Sequence, residues 1–223
     1  DRGAKGWFQG AVMTAAQSSK AVDLLSASKP PTCEEGMAFM KTAVVFQSRY
    51  GSTKRYAKWI AEELSCDLWD RKKIKAADLQ PYHTIVYGGG LYAGGVLGAD
   101  LLAKHFQELR HKNLILFTCG LADPANASNT DSIRKSLGKV LTPPMQDAIQ
   151  LFHLRGAIDY QKLRPIHKAM MAALHHMIAK KDAGSLSDED KEMLATYGKA
   201  VDFIDQAAIL PLIHYVRGLE RSD

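Results

Sequence analysis

From residue 40 onward, short apolar runs alternate with helical stripes. TAVVF (42–46) is an unbroken apolar run, the pattern of a strand covered on both faces. Residues 53–64 then put Tyr56, Ala57, Ile60 and Leu64 on one face of a helix. Residues 67–70, 83–87, 113–118 and 149–154 read as four further strands. Helices are predicted over 96–110 (apolar at Leu97, Leu101, Leu102 and Phe106), 132–140 and 206–217. This alternation predicts an α/β fold: a doubly wound, five-stranded parallel sheet in the order 2-1-3-4-5, with helices on both faces. Ligands of such sheets bind outside the carboxyl ends of the strands, where the strand order reverses. The loops after Phe46, Tyr87 and Thr118 are therefore the places to look.

Residues 1–39 break this pattern. A helix is expected around 11–25, followed by SASKPPT (26–32), which has linker composition. We read 1–39 as an N-terminal extension, a leader or linker without chemistry, and 40–223 as one domain. The segment 160–205 is a helical insertion before the last helix. Within it, Ile166, Ala169, Met170, Ala173, Leu174, Met177 and Ile178 form a helical stripe, expected to pack against the domain.

Composition narrows the function classes. The chain is 46% hydrophobic and 24% charged, ordinary for a globular protein, and no apolar run approaches the roughly 20 residues of a membrane span. Three widely spaced cysteines, Cys33, Cys66 and Cys119, make neither a disulfide framework nor a metal pair, which points to a reducing, cytoplasmic setting. The histidines show no metal-site spacing, so no metal is expected. The net charge of +5 sits wholly in 40–223, because 1–39 carry four positive and four negative side chains. An anionic partner is expected: a phosphorylated cofactor, a carboxylated substrate or an anionic membrane. Nucleic acid is not, since no binding motif or basic tract is present. Residues 162–181 hold Lys162, Arg164, Lys168, Lys180 and Lys181 without an acid, and His167, His175 and His176 add charge below neutral pH. That basic helix is a candidate for peripheral contact with the inner face of a membrane.

The three loops carry the candidate chemistry. Ser48, Arg49, Tyr50, Gly51, Ser52 and Thr53 join the first strand to the first helix with three small hydroxyl side chains, a glycine, an arginine and no acid. Unpaired N–H groups at the helix start favour a phosphate there. The second loop, GGGLYAGG (88–95), has five glycines in eight residues and includes Gly89, Gly90, Leu91, Tyr92, Ala93 and Gly94. Such a run suits close approach of a planar ligand to the main chain, with Tyr92 covering a ring. The third loop is Cys119, Gly120, Leu121, Ala122, Asp123 and Pro124. A cysteine phosphatase would need an arginine six residues after Cys119, where Ala125 stands, so Cys119 reads as a packing residue beside the ligand. A receiver domain would need acids where Gln47 and Ser48 stand, and the GxxxxGK[ST] loop of ATPases is absent. The GxGxxA match at Gly88–Ala93 follows the third strand rather than the first, leaving nicotinamide binding a weak rival.

KTAVVFQSRYGST (41–53) and IVYGGGLY (85–92) together resemble the flavodoxin superfamily. FHLRGAIDY (152–160), followed by a basic helix, is similar to the branch related to menaquinone-dependent protoporphyrinogen IX dehydrogenase. The resemblance covers nearly all of 40–223. It implies an FMN cofactor whose phosphate is held by Ser48, Arg49, Gly51, Ser52 and Thr53. The isoalloxazine would be flanked by Gly89–Gly94 and Cys119–Asp123. It also implies an FMN-dependent oxidoreductase passing electrons to a quinone or a protein redox partner. The alternatives are a non-enzymatic electron carrier, disfavoured because such carriers are acidic, and a flavin-binding sensor or interaction module. Two departures stand out. Arg49-Tyr50 intervene where a flavodoxin usually reads Thr-Gly-Asn-Thr, and Tyr92 stands about where the dehydrogenase has an arginine.

Overall fold

The computed structural model describes residues 41–92 and 95–221. The expected N-terminal arm lies outside the described residues, as do Ala93 and Gly94. Strand β1 (Thr42–Gln47) leads into α1 (Ser52–Glu63), then β2 (Asp67–Asp70), β3 (Thr84–Tyr92) and the two-residue β4 (Gly95–Val96). Short helices α2 (Asp100–Lys104) and α3 (Phe106–Leu109) precede β5 (Asn113–Gly120), α4 (Ala127–Leu137), α5 (Pro143–Asp147) and β6 (Ile149–Arg155). The rest comprises β7 (Ala157–Asp159), α6 (Pro165–Ala179), α7 (Asp188–Thr196), β8 (Ala200–Asp202) and α8 (Leu210–Leu219).

The main sheet runs β2-β1-β3-β5-β6, all parallel, with β4 paired antiparallel to the end of β3. This is the expected 2-1-3-4-5 order of a doubly wound sheet. The apolar runs follow from burial on both faces. Ala43, Val45, Ile85, Tyr87, Leu114, Leu116 and Ile149 face Leu101, Leu102, Phe106, Leu109, Ile133 and Leu137. The intervening Val44, Phe46, Val86, Ile115, Phe117 and Leu154 face Tyr56, Ala57 and Ile60 of α1 and Leu212, Ile213 and Val216 of α8. Each fully buried Val, Leu or Ile contributes roughly 1.5–3 kcal/mol, so a one-residue slip of any central strand is heavily penalised.

Three elements differ from the sequence expectation. The third strand does not stop at Tyr87 but continues through Gly88–Tyr92 and turns back as β4. Because β3 and β4 take residues through Val96, and Gly98 follows with φ +74°, the expected helix over 96–110 starts late and is split at His105 into α2 and α3. The helix expected over 132–140 instead spans Ala127–Leu137, starting where Asn126 Oδ1 accepts from the Ser128 N–H. The insertion is closed by the antiparallel pair β7–β8, which brings its two ends together beside β6.

Tyr56 ties these pieces at the carboxyl edge. Its ring is fully buried in α1, its hydroxyl donates to the Arg155 carbonyl at the end of β6 (2.7 Å), and it accepts from the Asp205 N–H ahead of α8 (3.0 Å). Burial raises its pKa, so it stays a neutral donor. Tyr56→Phe keeps the ring and strips both contacts. Leaving these partly buried backbone groups without a partner costs about 1 kcal/mol, and thermal unfolding should shift down by a few degrees with the fold retained by circular dichroism. An unchanged midpoint would show that the hydroxyl ties nothing.

Candidate functional site

A cleft of about 660 Å³ opens at the carboxyl edge, at the β1/β3 switch point. Its floor is built by the three loops named from the sequence, and its roof by the insertion. The volume falls within the roughly 300–1,000 Å³ of small-molecule sites.

The first loop brings Ser48, Arg49, Tyr50, Ser52 and Thr53 to the cleft. Gly51 sits at the N-cap of α1 with φ +105°, a left-handed conformation that a side chain would strain. The Gly51 N–H donates to Ser48 Oγ (3.0 Å), closing the loop on itself. No side chain caps α1, which leaves the first-turn N–H groups of a twelve-residue helix without a side-chain acceptor. Ser52 Oγ instead accepts from the Ala157 N–H (3.2 Å), joining the loop to β7.

In the second loop the glycines divide by role. A Cβ on Gly88 would lie 2.1 Å from the Phe117 ring, and one on Gly89 2.3 Å from Val96 Cγ1. These two make room for the protein's own packing rather than for a ligand, and Gly89 is not among the cleft-lining residues. Gly90, Leu91 and Tyr92 do line the cleft. Gly90 leaves bare main chain opposite Thr53, whose Oγ1 would be 3.2 Å from an added Cβ. The Tyr92 ring is already covered: the Arg49 guanidinium stacks 4.1 Å from its centroid, and the His167 ring meets it edge-on at 4.9 Å.

The third loop contributes Cys119, Gly120, Leu121 and Ala122. Burial pushes the Cys119 thiol up to about 12, against a small opposing effect of its hydrogen bond with Thr53, so it is no nucleophile near neutral pH. Asp123 is not among the cleft-lining residues and lies 3.8 Å from the Arg155 guanidinium.

Two residues outside the three loops, Arg155 and His167, assemble the site. Arg155 Nε donates to the Leu121 carbonyl (3.1 Å), its terminal nitrogens pair with Glu192 of α7 and Asp123, and its guanidinium lies 3.8 Å from the Phe203 ring centroid. It pins the roof to the third loop. His167 of α6 does the same for the first loop. Arg49 Nη1 donates to His167 Nε2 (2.9 Å), and His167 Nδ1 bonds the Tyr50 hydroxyl. Since arginine only donates, Nε2 is the acceptor and the neutral ring carries its proton on Nδ1. In the sequence His167 stood only as one of three histidines on a basic helix.

The roof itself reverses an expectation. Of the α6 stripe, Ile178 is buried, but Ile166 and Met177 are 67% and 63% exposed. The helix turns His167, Met171 and Ile178 inward, while Met170 and Leu174 lie at the lip of the cleft. The stripe does not pack against the domain, because a single helix over a cleft has only one side to bury. Leu163, Met193, Thr196 and Phe203 complete an apolar chamber facing the loops, with Glu189 and Glu192 on one wall.

His167 does not add charge below neutral pH as readily as its type suggests. Burial first, then the charges of Arg49 and Arg164, depress its pKa below the usual histidine value. A depressed value means that its contribution to seating α6 is fully present above the unfolded pKa of about 6.5. That contribution weakens as pH falls from there through the folded value. In an NMR titration of the ligand-free protein, His167 should have a midpoint below that of a free histidine, and Arg49→Ala should raise it. A midpoint at or above about 6.5 would place His167 outside this cluster.

Among known proteins, the model of the flavodoxin-domain family matches residues 43–185, well over half of the chain. Similar solved structures include oxidised flavodoxin 2 from Bacillus cereus, at 18% identity and a TM-score of 0.36, covering 52% of this chain and 82% of that one. A flavodoxin from the domain Archaea aligns at 22% identity and a TM-score of 0.31, covering 51% and 85%. A flavoprotein from Lactobacillus acidophilus NCFM, in complex with FMN, aligns at 13% identity and 0.33, covering 52% and 92%. No curated protein sequence matches the chain.

Proposed function

The chain belongs to the flavodoxin-domain family, and from that premise we propose that its cleft holds FMN and that the protein is an oxidoreductase acting on an apolar small molecule. The chemistry of the site fits the cofactor. The uncapped N-terminus of α1, with Ser48, Arg49, Ser52 and Thr53, suits a phosphate dianion. Bare backbone at Gly90, beside the inert Cys119, leaves room for a planar ring, while the space at Gly120 is taken by the Leu91 side chain. FMN, when bound, supplies reversible acceptance of one or two electrons. The protein supplies binding, orientation and the exclusion of water.

The observation that carries the enzymatic reading is the roof. Leu163, Met170, Met171, Leu174, Met193 and Phe203 enclose an apolar chamber directly over the ring-binding loops. A carrier exchanging electrons across an exposed flavin edge has no use for such a chamber, whereas a hydrophobic substrate is desolvated and oriented by it. The resemblance to the menaquinone-dependent protoporphyrinogen dehydrogenase branch supplies the substrate class: a reduced tetrapyrrole as donor and a quinone as acceptor. Met170, Met171 and Met193 suit a large ring system, because thioether side chains adapt to irregular apolar shapes and contact aromatic faces favourably. Arg155 keeps both walls in register.

The purified protein should carry flavin absorption bands through gel filtration, or acquire them on adding FMN, with the flavin fluorescence quenched. FMN should also raise the His167 midpoint, because a phosphate dianion beside Arg49 favours the imidazolium. Ser48→Asp keeps an acceptor for the Gly51 N–H but sets a carboxylate beside the phosphate, and FMN affinity should fall at least tenfold with the fold unchanged. Steady oxidation of a reduced tetrapyrrole with a quinone would support the full reading. Bound flavin with no turnover, reducible by a protein partner, would point to an electron carrier. A protein that neither binds nor quenches FMN would overturn the assignment.

A further inference from the structure

Among the described residues, the outer face of α6 is largely without a packing partner. On a helix with 100° between residues, Ile166, Met170, Ala173, Leu174 and Met177 fall within one sector about 100° wide. All five are exposed, Ile166 and Met177 by more than half. The helix is fifteen residues long, roughly 22 Å. An apolar strip of that length facing water is the reverse of the usual surface helix and marks a contact surface.

The charges around the strip name the partner. Residues 160–181 contain Lys162, Arg164, Lys168, Lys180 and Lys181 and no acid. Lys162 pairs with Asp159 and Lys181 with Asp190, but among the described residues Arg164, Lys168 and Lys180 have no ion-pair partner. The acids of neighbouring α7 are engaged elsewhere: Asp188 with Lys191, Asp190 with Lys181 and Glu192 with Arg155, while Glu189 lines the cleft. The strip is thus bordered by free cations at both ends of the helix. That pairing of apolar face and basic flank fits an anionic bilayer: side chains enter the acyl boundary while lysine and arginine meet lipid phosphates. A second copy of this chain would bring the same unpaired cations against these and repel them. No helix of the described residues is long and apolar enough to cross a membrane, so the contact lies along the surface.

We propose that α6 docks the protein on an anionic membrane surface, with Ile166 and Met177 inserted and Arg164 and Lys180, at the two ends of the helix, at the headgroups. This orientation turns the lip of the cleft, formed by Met170 and Leu174, toward the lipid. An apolar substrate dissolved in the bilayer then reaches the chamber without crossing water. The docking itself does not depend on which cofactor the cleft holds.

The test is co-sedimentation of the full chain with vesicles of phosphatidylcholine alone or mixed with phosphatidylglycerol. Binding is expected to the mixed vesicles, weakened at high salt and at least tenfold weaker to phosphatidylcholine alone. Ile166→Glu with Met177→Glu should reduce binding at least tenfold. Lys180→Glu should weaken binding severalfold through charge alone. These positions are exposed, so circular dichroism and the flavin spectrum should be unchanged. Failure to bind anionic vesicles overturns the proposal. So does equal binding of wild type and both variants. A dimer in ultracentrifugation that Ile166→Glu with Met177→Glu dissociates, without vesicle binding, would assign the face to self-association and likewise overturn it.

Discussion

Burial of the parallel sheet on both faces is the constraint on which the site depends. With α1 and α8 on one side and the α2–α4 side chains on the other, the four-residue stretch Ala43–Phe46 has no face left for polar chemistry. Polar groups are therefore confined to the strand ends, where the backbone leaves the sheet and N–H groups become free. At the carboxyl edge the start of α1 is such a place, and the left-handed Gly51 lets the chain turn there without strain. Tyr56 reaches from the same helix to the end of β6 and to the segment before α8, so the core that buries the sheet also holds its edge.

The insertion converts this edge into a chamber. Its two ends are clasped by β7–β8, and two cations connect its roof to the floor. Arg49 and His167 join the first loop to α6, while Arg155 joins the third loop to α7 and Phe203. Both contacts are only partly exposed, where charge-assisted hydrogen bonds count for more than on an open surface. They differ in kind. Arg155 pairs with two carboxylates, whereas the His167 contact needs the neutral ring and thus weakens in acid. The fastening that weakens in acid lies beside the proposed phosphate position. A phosphate bound there would favour a protonated His167 and so loosen its contact with Arg49.

Much of the fold and about half of the site's logic were legible in the chain. The alternation of apolar runs with helical stripes determined the α/β class and the sheet order, because burial on two faces leaves a periodic record in each element. It also located the three loops at the carboxyl edge, since strand ends are local features. What the chain could not disclose depends on residues far apart. Gly88 and Gly89 looked like ligand-facing glycines, yet they accommodate Phe117 and Val96, which pairing and hairpin geometry bring against them. Arg49 and His167 lie 118 positions apart, and no local pattern couples them. The α6 stripe had the period of a packed helix, but periodicity records only that a helix has an apolar face. Whether that face meets the core, a cleft or solvent is decided by what the rest of the chain sets opposite it, and here only the tertiary structure made that choice.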